Sequence, residues 1–196
     1  MADYDWRAWD EEPWQLRYPG TAIGAETWVE VFSPDPDSGE MRRWIAAAQR
    51  LQTAERPTAR RVFISHRRAD AVMAQQAADA AHRLGVEYWL DVEDPTLQWL
   101  TQHTAVDAAT RSTAIASAIE MALLNCTHVL AIITPRTSGS QWVPYEYGRV
   151  KDDGLTDRAT ACWTTVHPAD TTRFAEYLHL GVVARGIEEV RTWLVA

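Results

Sequence analysis

Cysteine is scarce in this 196-residue chain: Cys126 and Cys162 are the whole set, and neither stands in a CxxC or CxxH arrangement. The usual thiol-ligated zinc patterns are therefore missing, and both residues are read as buried free thiols. Basic charge is in short supply too. Nineteen Lys and Arg against 27 Asp and Glu leave a formal net charge of -8, which disfavours an extended surface for nucleic acid or anionic membrane, because phosphate binding needs clustered cations. The acidic start MADYDWRAWDEE has neither the basic end nor the apolar run of a secretory signal, and no run approaches bilayer-spanning length. The expectation is a cytoplasmic protein with no nucleic-acid and no membrane partner. There is also no GxSxG elbow, no P-loop and no GxGxxG turn, which removes the commonest hydrolase, NTPase and dinucleotide-fold signatures.

Tryptophan, by contrast, is plentiful, and five of the ten (Trp6, Trp9, Trp14, Trp28 and Trp44) fall in the first sixty residues. Such a composition argues against disorder. TWVEVF (27–32) suits a strand, the Pro- and Asp-rich run 33–39 must turn, and Met41, Trp44, Ile45, Ala48 and Leu51 recur at helical spacing. The polar segment QTAERPTAR (52–60) marks a boundary, giving a Trp-rich N-terminal α/β extension, residues 1–57, that packs on a core domain, residues 58–196.

From Arg61 onward short apolar runs alternate with helical stripes, the pattern of a mostly parallel sheet with helices on its faces. RVFIS (61–65), VEYWL (86–90), HVLAII (128–133) and ACWTTV (161–166) are the expected strands. Met73, Ala77, Ala80 and Leu84 predict a helix ending at Gly85. Ile115, Ile119 and Leu123 predict a second, WVPYEYGRVK a third with Pro144 in its first turn, and Ile187, Val190 and Leu194 a last one. The stretch from Asp91 to about Arg111 reads as too polar and irregular for a core element.

Ligands of open α/β sheets bind beyond the carboxyl ends of the strands, where loops and helix starts present unpaired N–H groups. Polar residues collect there: Ser65, His66, Arg67, Arg68 and Asp70 after the first strand, Asp91, Glu93 and Asp94 after the second, and Thr134 through Trp142 and Glu146 after the third. Arg67 and Arg68 suit either a pyrophosphate grip or surface ion pairs. His66 suits a ligand contact or a backbone hydrogen bond at a strand end. Asp91, Glu93 and Asp94 lack the spacing of a calcium loop and are read as a solvated loop with no metal, Asp91 pinned near the strand end. Trp142 and Glu146, four apart, share one helix face. They are either a core tryptophan with an exposed glutamate, or an aromatic and a carboxylate facing a planar cationic ring. A phospho-acceptor receiver would carry an aspartate at the end of the third strand, which instead ends in Thr134 and Pro135.

FISHRRAD, YWLDVEDP, SAIEMALLNCTHVLAIITP and SQWVPYEYG, in this order and spacing, resemble the Toll/interleukin-1 receptor (TIR) domain, particularly its bacterial members. The match is strong over Arg61–Lys151 and weaker beyond. The resemblance implies a flavodoxin-like TIR fold and an enzyme that cleaves NAD, as substrate rather than cofactor, between nicotinamide and ribose. Glu146 of the W-x-x-x-E pattern is then the catalytic carboxylate. Ser65, His66, Arg67, Arg68, Asp91 and Trp142 are then substrate-binding: the arginines on diphosphate or ribose, His66 on the nicotinamide side, Trp142 against the pocket, and Asp91 ordering the BB loop. The polar segment after Pro95, with Trp99, His103 and Asp107, departs from the family pattern. The implied setting is nucleotide signalling in Thoeris-type antiphage defence, with self-association through TIR surfaces and a phage-derived activator. The alternatives are a non-catalytic adaptor module and a TIR virulence factor.

Overall fold

A computed structural model describes residues 60–102, 108–150, 159–170 and 172–196. Their elements run β1 (Arg61–Ser65), α1 (Ala71–Arg83), β2 (Glu87–Trp89), α2 (Pro95–Gln102), α3 (Ala108–Asn125), β3 (His128–Ile133), α4 (Trp142–Arg149), β4 (Thr160–Thr164), β5 (Val182–Ala184) and α5 (Ile187–Val195). The five strands form one sheet in the order β2-β1-β3-β4-β5, and every pairing is parallel. This is the flavodoxin-like α/β arrangement. Its strand order reverses direction between β1 and β3, and that switch point opens a crevice at the carboxyl ends of those two strands.

The central strands read as continuous apolar runs because both faces are covered. One face carries Phe63, Trp89, Val129, Ala131 and Ile133 against α2, α3 and α4. The other carries Val62, Ile64, Leu90, Leu130 and Ile132 against α1 and α5. Phe63 stacks on Trp89 across the β1/β2 pair, ring centroids 4.5 Å apart, adding aromatic contact to the ladder.

Several expectations are corrected by the packing. The buried face of α1 is alanine, Ala74, Ala77, Ala78 and Ala81, while Met73 is half-buried and Leu84 is 42% exposed. The helix is where the periodicity put it, and Ala77 and Ala80 of the expected stripe are buried, as is Ala80's neighbour Ala81; only Leu84 departs, and the added alanines widen the face because small side chains let it lie close on the sheet. The stretch after β2 is not irregular. Asp94 is buried, takes a hydrogen bond from the Trp89 indole at 3.0 Å, and caps α2 by accepting the Leu97 N–H at 3.0 Å. Pro95 then occupies the first helical position, and Leu100 is fully buried. Asp94 is thus a structural cap rather than part of a solvated loop. The last pairing, β4 with β5, involves a three-residue strand that the apolar pattern did not announce.

The extension 1–57, the boundary segment up to residue 59, His103 and Asp107 lie outside the described residues. Among the described residues no helix is long and apolar enough to cross a membrane.

Candidate active site

Ser65 closes β1 at the switch point. Strand alternation puts it on the same face as Phe63, the face covered by α4. Its hydroxyl donates to Glu146 Oε2 at 2.5 Å, with Ser65 1% and Glu146 6% exposed. Glu146 is therefore buried, unlike the exposed glutamate that helical spacing alone allows. Among the described residues no hydrogen bond reaches its second oxygen, Oε1.

Helix α4 is placed to deliver this carboxylate. Ser140 Oγ accepts the Val143 N–H at 3.3 Å, Pro144 needs no partner for an N–H it does not have, and Val143, Tyr147 and Val150 face the core. Two residues along a helix turn the side chain about 200°. Trp142 and Glu146 thus look to one flank of α4 and Pro144 to the other.

Burial pushes the Glu146 carboxyl up from its ordinary value near 4.5 to about 7; the Ser65 hydrogen bond works against this rise, and the nearby negative charge of Asp91 adds to it. Asp91 is itself raised, by burial, while His66, the Val92 N–H and Arg68 favour its charged form. His66 Nδ1 stands 3.5 Å from Asp91 Oδ1, and the His66 side chain is 1% exposed. Among the described residues, His66 Nε2 and Asp91 Oδ1 are buried without hydrogen-bond partners. Arg68 is exposed at the start of a short 3-10 turn, Arg68–Asp70.

Ser65 with Glu146 and His66 with Asp91 thus form two contacting pairs at the carboxyl ends of β1 and β2, the Asp91 charge acting on Glu146 and the Arg68 charge on Asp91. Arg67 points elsewhere: its guanidinium donates to the carbonyls of Arg136 and, at 3.1 Å, Ser138. Trp142 is 41% exposed, its ring 5.9 Å from that of Tyr145 in an edge-on arrangement.

Asp70, Thr134, Arg136 and Thr137 had no assigned role in the sequence reading. The Thr134 hydroxyl donates to the buried Asp70 carboxylate at 3.0 and 3.1 Å. Arg136 lies 3.8 Å from Asp70 and donates to the Ala69 carbonyl at 3.0 Å. The Thr134 N–H donates to Thr137 Oγ1 at 2.9 Å. Together with Arg67 these bonds staple the loop after β1 to the loop after β3. The available signal was the aspartate ending FISHRRAD and the threonines of ITPRT, polar residues at the ends of two adjacent strands.

Across α4 from Glu146 lies a separate cleft of about 260 Å³, walled by Thr137, Ser140, Pro144, Arg173 and Tyr177 among others. Among the described residues no group of three or more His, Cys, Asp or Glu is arranged to hold a metal ion.

A family model described as "TIR domain" matches residues 62–162. No curated protein matches the chain. Among solved structures the chain is similar to a metazoan TIR-STING receptor from C. gigas, determined in complex with 2',3'-cGAMP, at 14% identity and a TM-score of 0.47. That alignment covers 69% of this chain and 39% of the receptor's.

Proposed function

The chain belongs to the TIR-domain family, and from this premise we propose that it cleaves NAD between nicotinamide and ribose, with Glu146 as the catalytic carboxylate. The observation that carries the proposal is the buried Ser65–Glu146 pair at the β1/β3 switch point, a carboxylate with one oxygen held and the other unengaged.

The chemistry asks little else of the protein. The pyridinium nitrogen of NAD already bears positive charge, so the C1'–N bond breaks with its electron pair passing to nitrogen, and nicotinamide departs neutral. No general acid is required. Positive charge appears on C1' and the ribose ring oxygen, and an ionised Glu146 stabilises it in a water-poor crevice. The acceptor, which is water, adenine, a ribose hydroxyl or an added molecule, then bonds to C1', and where it is a hydroxyl it releases its proton to solvent. Water as acceptor yields ADP-ribose, and a hydroxyl of the same molecule yields a cyclic product. His66 and Asp91 line the same crevice, exposed Arg68 is free to reach the diphosphate, and Trp142 flanks the mouth. Arg67, whose guanidinium is engaged by loop carbonyls, holds the wall of the site as well as any phosphate it meets.

The wider reading is a cytoplasmic signalling enzyme of bacterial antiphage defence, self-associating through TIR surfaces and switched on by a phage-derived activator. NAD is its substrate, and it needs no cofactor or metal. The test is release of nicotinamide from NAD by purified protein, alone and under assembly-promoting conditions, beside Glu146→Gln. Turnover by the wild type and a drop of about 10²–10³-fold or more in the variant is the expected result. No nicotinamide under any condition defeats the enzyme reading and leaves an adaptor module.

A further inference from the structure

Resemblance places Ser65 among the residues that touch substrate, but its geometry says otherwise. We propose that Ser65 is a positioning residue: its hydroxyl is spent on Glu146 Oε2, and it fixes the carboxylate so that Oε1 faces the reacting ribose. The inference rests on the NAD-cleaving reading above and adds to it a residue that acts through Glu146.

Three observations carry it. The Ser65 hydroxyl has one proton, and that proton goes to Glu146 at 2.5 Å. The side chain is 1% exposed, so a substrate that reaches the crevice meets Glu146 before Ser65. And β1 is paired on both sides up to Phe63, with Ser65 itself held opposite Ala131 of β3, so the strand fixes its Cα. A hydroxyl on an inner strand of the sheet therefore anchors a carboxylate on the second turn of α4.

Hydrogen bonding to the charged form of an acid favours that form. Ser65 thus also favours the ionised Glu146, working against burial and against Asp91, the charged group whose field reaches it; His66 and Arg68 act on Asp91 in turn. A residue that merely touched substrate would do none of this.

The experiment uses the full chain with Ser65→Ala and Ser65→Thr, the second keeping the hydroxyl. Nicotinamide release is followed against NAD concentration and pH, and a ¹³C titration of the Glu146 carboxyl provides a readout that needs no turnover. For Ser65→Ala the expected result is a kcat lower by about 10- to 100-fold with KM little changed. The acidic limb of the rate profile and the Glu146 titration should both move to higher pH. Ser65→Thr should restore most of each. Matching melting curves separate these effects from loss of fold.

A rise in KM at unchanged kcat would return Ser65 to the substrate-binding set and overturn the proposal. So would a Glu146 titration identical in wild type and Ser65→Ala. Failure of the NAD reading shows differently, as absent turnover in the wild type or full turnover in Glu146→Gln, with the carboxyl titration still deciding whether Ser65 controls Glu146.

Discussion

A carboxylate beneath the surface is opposed by its own desolvation, and Glu146 shows how far one hydroxyl offsets this. Its folded-state value of about 7 lies above the 4.5 of an exposed glutamate, so the folded chain binds this proton more tightly than the unfolded chain. Stability contributed by the protonated form is complete below about 4.5 and is lost as pH rises through 7. Glu146→Gln, neutral at every pH, is therefore expected to melt higher than wild type at pH 8, by at most about 3 kcal/mol of stability. The gap should close toward pH 5, as paired thermal melts across pH would show. On the proposed NAD-cleaving reading, catalysis runs the opposite way, since that reading needs the ionised form: nicotinamide release should climb through neutral pH with an acidic limb near 7. A residue that is more stable when inactive marks a functional site. For Arg68→Ala the expected change is a higher KM for NAD with kcat nearly kept, read from initial rates, since its exposed guanidinium grips rather than reacts.

Among the elements, α2 and β5 carry the instructive cases. Leu100 is fully buried on α2, so Leu100→Ala should cost about 2–5 kcal/mol in a denaturant titration; an irregular surface segment would lose almost nothing. At the start of β5, a Cβ on Gly181 would lie 2.1 Å from the Tyr147 hydroxyl and 2.5 Å from the Thr160 carbonyl. Gly181→Ala should destabilise by about 1–3 kcal/mol, and adding Tyr147→Phe should recover part of the loss by removing the nearer contact. The two elements were hard to read for separate reasons. PTLQWLTQ shows few apolar positions, because α2 owes its start to a cap and packs on the core through Leu100 and, partly buried, Leu97. VVA is a strand too short to alternate. RVFIS and HVLAII, by contrast, were legible to the residue, since strands covered on both faces leave unbroken apolar runs. In the candidate site, the loops were foreseeable from strand ends, but the pairing of Ser65 with Glu146 was not. They are 81 residues apart, and strand alternation says which face Ser65 occupies without saying what meets it there.

At the scale of the whole molecule, every strand pairing among the described residues is parallel and none is a hairpin. Among the described residues β1, β3 and β4 each have neighbours on both sides, while β2 and β5 are edges. Hydrogen exchange should therefore be slowest in the amides of the three inner strands and faster in the two edges; uniform protection across all five would contradict this ordering. The same layout has a consequence for synthesis. β1 is made early, but the partner on its second side begins at His128, opposite Val62, and long-range closure of this kind is slow. A nascent chain therefore carries the half-covered apolar strand for some time, and shares the exposure of any parallel-sheet protein to misassembly. It also cannot act too soon. Ser65 waits 81 residues for the side chain it holds, so the carboxylate is seated only after most of the fold exists, and the proposed chemistry is out of the growing chain's reach until then.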